Sequence, residues 1–349
     1  MLKDVISIKG VGHSFEAVND ALAIITTGGS CVIYKCLDER NYTNINGIFS
    51  GLGVYSESEF YLSEGFTSKV VDINSLETIS IPFKIEAILG DRIISSEKEE
   101  RNRYLICCLR NGELKWKIPL KIGKHIFLDQ DILFNSQYLD DGKINAYDLS
   151  DGSVIWNYDT TILGTWQDYD GREKQTQISK VLGVFDSKLY IYLNSGKILL
   201  LDIDSGKKIA VLKNNKHPKF DTFGNSIELD IRSNKLIQLA NQDLIEIDLE
   251  SLEVSQTVIE DMKSFGLGNF SKVVFDSGHI FFTDKNNMTL GALNRSTQKL
   301  DWIHKLSQKG VSESERPRYG KDLKLKDGRL YVLDNKNTLH IFEKEHHPA

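Results

Sequence analysis

No stretch of this sequence approaches the ~18 consecutive apolar residues that a membrane-spanning helix requires, so membrane insertion is not expected. The opening MLKDVISIKGVGHSF lacks the apolar core of ~7–15 residues and the small-residue cleavage site of a secretory signal, and a soluble, cytoplasmic chain is the expectation. Positive charge is in deficit too. With 43 Lys and Arg against 49 Asp and Glu the net charge is −6, whereas affinity for DNA or RNA rests on clustered basic side chains, so no nucleic-acid partner is expected. Cysteine is scarce, at 4 residues in 349. Cys31 and Cys36 are five apart in a strand-like run and Cys107 and Cys108 are adjacent, so the members of each pair point to opposite faces of a strand. None has the C-x-x-C spacing of a zinc site. Reduced thiols in the core are expected, with no disulfide and no metal.

The local signatures of catalysis are missing as well. The eight histidines, among them His13, His125, His217, His279 and His304, show no H-E-x-x-H spacing and read as surface or packing residues. There is no G-x-S-x-G elbow and no P-loop, and Gly51 and Gly53 in SGLGVYS lack the third glycine and following helix of a dinucleotide site. Asp202 and Asp204 before Gly206, and Asp140 and Asp141 before Gly142, lack a calcium loop ending in glutamate and read as turn residues. No catalytic residue and no cofactor is expected. An active site assembled from distant strands leaves no local motif, so an enzyme remains an alternative reading.

Repetition is abundant. In INAYDLSDGSVIW apolar and polar residues alternate up to Asp148, a turn follows at Ser150, Asp151 and Gly152, and a second strand ends at Trp156, the grammar of a β-hairpin. It recurs in LICCLRNGELKW, LLLDIDSGKKIAV, LIEIDLESLEVSQ, LGALNRSTQKLDW and VVDINSLETIS. Eight positions beyond Asp148, Cys108 and Asn294 stand Trp156, Trp116 and Trp302; the equivalents beyond Asp202, Asp248 and Asp72 are Ala210, Gln256 and Ser80. The Asp or Asn can accept from turn amides, and the tryptophan can cover the neighbouring sheet's edge while its N–H finds an acceptor.

Two more strand-like runs precede each hairpin, so each unit has four strands, and the anchors at 72, 108, 148, 202, 248 and 294 lie 36 to 54 residues apart, near the ~40–50 of a propeller blade. The units are 14–46, 50–82, 84–120, 125–161, 178–213, 225–260, 270–306 and 320–345, the last with three strands only. The run Asp4 to Ile8 is assigned as its missing outer strand, which removes exposed sheet edges. The expected fold is all-β: a single β-propeller domain over 1–349 of about eight four-stranded blades, seven if one short unit is misread, closed by the N-terminal strand.

This pattern of apolar strand, aspartate, two or three residues, Ser or Thr, glycine and then tryptophan resembles the pyrroloquinoline-quinone-like β-propeller repeat, found also in scaffold proteins of the bacterial outer-membrane assembly machinery. The resemblance covers nearly the whole chain and implies architecture rather than chemistry. In quinoprotein dehydrogenases of this class it implies a cofactor held by a vicinal disulfide, a catalytic aspartate and a calcium site. Cys107 and Cys108 are vicinal, but they lie inside a strand beside the repeat hairpin, and a quinone cofactor is not expected.

Antiparallel order sends the connections after second and fourth strands to one face of a blade and those after first and third strands to the other. The connections after third strands are tight, whereas those after four successive fourth strands are long: 162–177, 214–224, 261–269 and 307–319. Long loops on a rigid scaffold are where binding resides. They carry Trp166, Tyr169, Phe220, Phe223, Phe265 and Tyr319 interleaved with Asp168, Asp170, Arg172, Lys219, Arg316 and Arg318, types prominent at protein interfaces. The charged run SSEKEERNRY, 95–104, is expected as a solvated connection on the same face. The functional expectation is a non-catalytic, protein-binding propeller, an inhibitor or immunity protein that neutralises a bacterial toxin or enzyme. The alternatives are an enzyme or small-ligand binder, for instance of a glycan, using the central channel, and a cell-envelope assembly scaffold.

Overall fold

The computed structural model describes residues 2–35, 41–99, 102–119, 125–136, 142–168, 170–216, 222–285, 289–306 and 320–344. Eight four-stranded antiparallel sheets follow one another along the chain, here numbered as blades 1 to 8: 11–45, 51–81, 84–119, 125–159, 178–212, 228–258, 270–305, and 320–344 completed by Leu2–Lys9. Contacts group the residues into two compact units, Met1–Leu62 with Val71–Thr78 and Ser226–Ala349, and Ser63–Val70 with Ile79–Asn225. The first contains blades 1, 6, 7 and 8 and the second blades 3, 4 and 5, with blade 2 shared.

Within a blade, burial follows strand order. In blade 5 the second strand, Lys188–Leu193, and the third, Ile198–Asp202, are buried at nearly every residue, which explains the unbroken apolar runs LYIYL and ILLL at those places. The fourth, Lys208–Leu212, is half-buried to exposed. Asp202 then closes the turn between the third and fourth strands. Its Oδ1 accepts from the Ser205 amide at 2.8 Å and hydroxyl at 2.6 Å. Asp72, Asp148, Asp248 and Asn294 accept from turn amides in the same manner. The hydrogen bonds from Ser205 hold the Asp202 carboxyl below its ordinary range.

The expectation for tryptophan is met in detail in the second unit. Trp116 of blade 3 donates from Nε1 to Leu149 O at 2.9 Å, and Trp156 of blade 4 to Ile203 O at 2.7 Å. Each ring lies on the turn glycine of the next blade: a Cβ on Gly152 or Gly206 would come within 2.8 or 2.5 Å of the indole. Inside its own sheet each tryptophan faces a small residue, Cys107 opposite Trp116 and Ala146 opposite Trp156. Where blade 5 has Ala210 the opposite residue is Leu200. In the first unit Trp302 faces Ala292. Blade 8 offers no such glycine turn, because its third strand pairs with the chain's first, and Trp302 instead meets Phe342 edge-on, centroids 5.5 Å apart, and stacks on His304.

The first strand, Leu2–Lys9, pairs antiparallel with Thr338–Lys344, Ser7 opposite His340 and Ile8 opposite Leu339. Buried His340 lies 3.0 Å from Ser7 Oγ through Nδ1 and 3.0 Å from Asp334 Oδ2 through Nε2, while Asp334 Oδ1 accepts the amides of Lys336 and Thr338. The ring nitrogens face the reverse way to a hydrolytic Ser-His-Asp triad. The set fastens the first strand to the last sheet.

One expectation is corrected. The described residues of the charged run, 95–99 and 102–104, are strand rather than solvated connection: Arg92–Glu99 and Asn102–Leu109 pair antiparallel, with Glu97 opposite Tyr104. Cross-strand contacts hold the pair, since Lys117 pairs with Glu97 and lies 4.4 Å above the Tyr104 ring.

Candidate binding cleft

The long connection between blades 4 and 5 has a structure of its own. Asp159 caps a single 3-10 turn, Thr160–Leu163, accepting from the Thr161 amide at 2.9 Å and hydroxyl at 2.6 Å. Gly164, at φ 87°, then reverses the chain into a small hairpin of Thr165–Gln167 against Glu173–Gln175. Asp168 closes that hairpin through the amides of Asp170 and Arg172, at 3.0 and 2.9 Å, and a 2.8 Å ion pair to Lys174. The lysine first, and then the amides, hold the Asp168 carboxyl below its usual range. A polar stretch with no sustained apolar period gave no sign of this hairpin in the sequence.

The hairpin is tied to blade 5 at the turn after its second strand. Asn194 accepts the Gln177 amide at 2.9 Å and donates from Nδ2 to Gln175 O at 3.0 Å. Two residues on, Gly196 accepts the Phe223 amide at 2.6 Å, while the Tyr192 hydroxyl donates to Phe223 O at 2.8 Å. Burial pushes the Tyr192 phenol up to about 12. Connections after second and fourth strands are thus hydrogen-bonded to one another, as antiparallel order requires. The same links recur at Phe49 to Gly29, Ile259 to Gln242 and Lys285 to Asn269.

Three segments, 160–177, 194–197 and 222–224, therefore converge, and beside the first two lies a cleft of about 260 Å³. Leu163, Leu193 and Val211 form its apolar wall; Thr165, Trp166, Thr176, Ser195, Lys197 and Lys213 supply polar groups. Two of those groups are orphans. Trp166 Nε1 and Ser195 Oγ are buried and have no hydrogen-bond partner.

Among the residues singled out in the sequence, Trp166 lines this cleft. Asp168 is buried and organises the hairpin turn, while Asp170 and Arg172 are exposed on it. Phe223 is only 3% exposed and supports the 194–197 turn rather than facing solvent. Phe265, in the other unit, is 59% exposed at the end of a short helix, Glu260–Ser264, inside the 261–269 connection. Tyr169, Lys219, Phe220, Arg316, Arg318 and Tyr319 lie outside the described residues. Ser195 and Lys197 were missed. They occupy a tight turn after a second strand, the position that topology assigns to the same face as the long loops, and a search of such turns for uncommitted polar residues could have found them.

Cys31, Cys107 and Cys108 are buried free thiols, so the vicinal pair is not a disulfide. Burial pushes Cys31 up to about 12 and Cys107 up to about 11. Among the described residues no three His, Cys, Asp or Glu side chains cluster as metal ligands, and no helix is long and apolar enough to cross a membrane.

Eight successive four-stranded antiparallel sheets, with Asp- or Asn-capped turns between third and fourth strands and tryptophans laid on the turn glycine of the next blade, define an eight-bladed β-propeller of the pyrroloquinoline-quinone-like repeat class. A family model described as outer membrane protein assembly factor BamB matches residues 87–303. The chain belongs to that family. Among solved structures it is similar to BamB from Moraxella catarrhalis, with 14% identity, 99% of this chain and 100% of that one covered, and a TM-score of 0.66. Saccharomyces cerevisiae Sqt1 matches with 10% identity, 98% and 99% coverage and a TM-score of 0.62. The computationally designed Ika8 protein matches with 11% identity, 98% coverage of both chains and a TM-score of 0.60. At these identities the likeness is one of fold. No curated protein matches the chain.

Proposed function

We propose that the chain is a protein-binding scaffold that meets its partner through the 160–177 excursion and the cleft beside it. The observation that carries this reading is the excursion itself. It is ordered by its own caps, hairpin and ion pair, yet Ile162 is 72% exposed and Asp170 and Arg172 are exposed with it. A preformed surface of this kind loses little conformational entropy on binding, and exposed apolar groups rimmed by charge are the composition of an interface.

Two roles fit such a scaffold. Inhibition or immunity against a toxin or enzyme is the first; the family description, an outer-membrane protein assembly factor, favours the second, an assembly scaffold. Capture with the full chain and an Ile162→Asp/Arg172→Glu variant, from soluble and envelope fractions of the native host, tests both. The wild type should retain one stoichiometric protein that the variant loses without a change in melting curve. An inhibitor abolishes the activity of the retained protein; an assembly scaffold retains an envelope protein. Equal retention by both chains, or none by either, refutes the proposed surface.

A further inference from the structure

We infer that the cleft between the 160–177 hairpin and the 194–197 turn is a binding site for a carboxylate carried on an aliphatic stem. An indole N–H can only donate, and that of Trp166 finds no acceptor although it is buried. Ser195 is 5% exposed and its hydroxyl likewise has no partner. A buried polar group left unpaired is costly, so two of them, on residues that line the same cleft, call for an occupant that brings an acceptor. That occupant is negative, because among the described residues the cleft is lined by the cation of Lys197 and by no carboxylate. Lys197 has no ion pair within the described residues. Leu193 and Val211 complete the lining with an apolar surface that suits methylene groups better than a bare inorganic ion.

The scaffold reading bears only on where the carboxylate comes from: a glutamate-bearing segment of the partner protein is the expected source. The site can be read through the indole N–H resonance of Trp166 in the full-length, tryptophan-labelled chain, assigned by its loss in Trp166→Phe. The probes are acetyl-Leu-Glu-Leu-amide, its glutamine analogue, glutarate and inorganic phosphate. The glutamate peptide should shift the resonance and the glutamine peptide should not. Lys197→Gln and Ser195→Ala should each weaken binding roughly tenfold, the loss of one charge-assisted hydrogen bond, with melting curves no lower than that of the wild type. Tighter binding of the peptide than of glutarate supports a protein segment as the source, and equal binding supports a free small acid; both support the carboxylate site. No shift with either acid, an equal shift with the glutamine peptide, or a shift with phosphate alone would overturn it. A chain that binds the acid but retains no protein keeps the site and loses the scaffold, and the converse loses only the site.

Discussion

Gly206→Ala tests how one blade is joined to the next. Gly206 has φ 65°, where alanine costs about 1 kcal/mol. Its Cβ would also come within 2.5 Å of the Trp156 ring, which cannot retreat freely because Nε1 is bonded to Ile203 O at 2.7 Å. Forcing an extra carbon against a fixed ring adds about 1–3 kcal/mol, for a total of about 2–4 kcal/mol. Gly112 provides the control. It occupies the equivalent turn of blade 3 at φ 86°, but an added Cβ would meet nothing within 4 Å, so Gly112→Ala carries only the backbone cost of about 1 kcal/mol. Urea unfolding followed by far-ultraviolet circular dichroism on both single variants measures the difference. Trp156→Leu, alone and combined with Gly206→Ala, closes a double-mutant cycle whose coupling should favour the combination by at least about 1 kcal/mol. If Gly206→Ala is no worse than Gly112→Ala, or if the cycle is additive, the ring is not a joint between the blades.

Ala146→Leu should destabilise the chain by about 1–3 kcal/mol in the same assay, because the residue directly opposite is Trp156, while exposed Lys208→Leu in blade 5 should have little effect. Cys31, Cys107 and Cys108, with thiols kept protonated by burial, should resist alkylation in the native chain at mildly alkaline pH and react in urea, as peptide mass mapping would reveal; native labelling would contradict their packing. The depressed pKa of Asp168 makes its contribution to hairpin order complete above the ordinary carboxylate value and lost as pH falls through the lower folded one. Asp168→Asn should therefore raise proteolysis within 160–177 at neutral pH and remove its pH dependence below the ordinary carboxylate range. Identical cleavage of the two chains at every pH would refute the role given to the ion pair.

The repeat was legible because most blades reuse the same devices: an Asp or Asn that satisfies the amides of the turn before the fourth strand and, in blades 3 and 4, an indole laid on the turn glycine of the next blade. Even the exchange of Trp opposite Ala for Ala opposite Leu is written in the chain once the pairing register is known. The strands at 95–99 and 102–104 were misread because Glu97, Lys98 and Glu99 break the apolar alternation, and their support from Lys117 comes from across the sheet. Composition could nominate Phe223 and Trp166 alike, but only hydrogen bonds to Gly196 and from Tyr192 turn one into a buried prop. The orphaned Ser195 hydroxyl exists only after the hairpin has been laid beside the turn, a pairing no local pattern encodes.

The fastening of Ser7 to His340, two residues 333 positions apart, has a consequence for synthesis. Blade 8 takes its outer strand from residues 2–9, so that strand must wait, unpaired, until the ribosome has delivered its partner, residues 338–344. Until then the nascent chain holds a sheet edge open and a sticky strand free. Swapping that strand between two unfinished copies is the error such a chain must outrun.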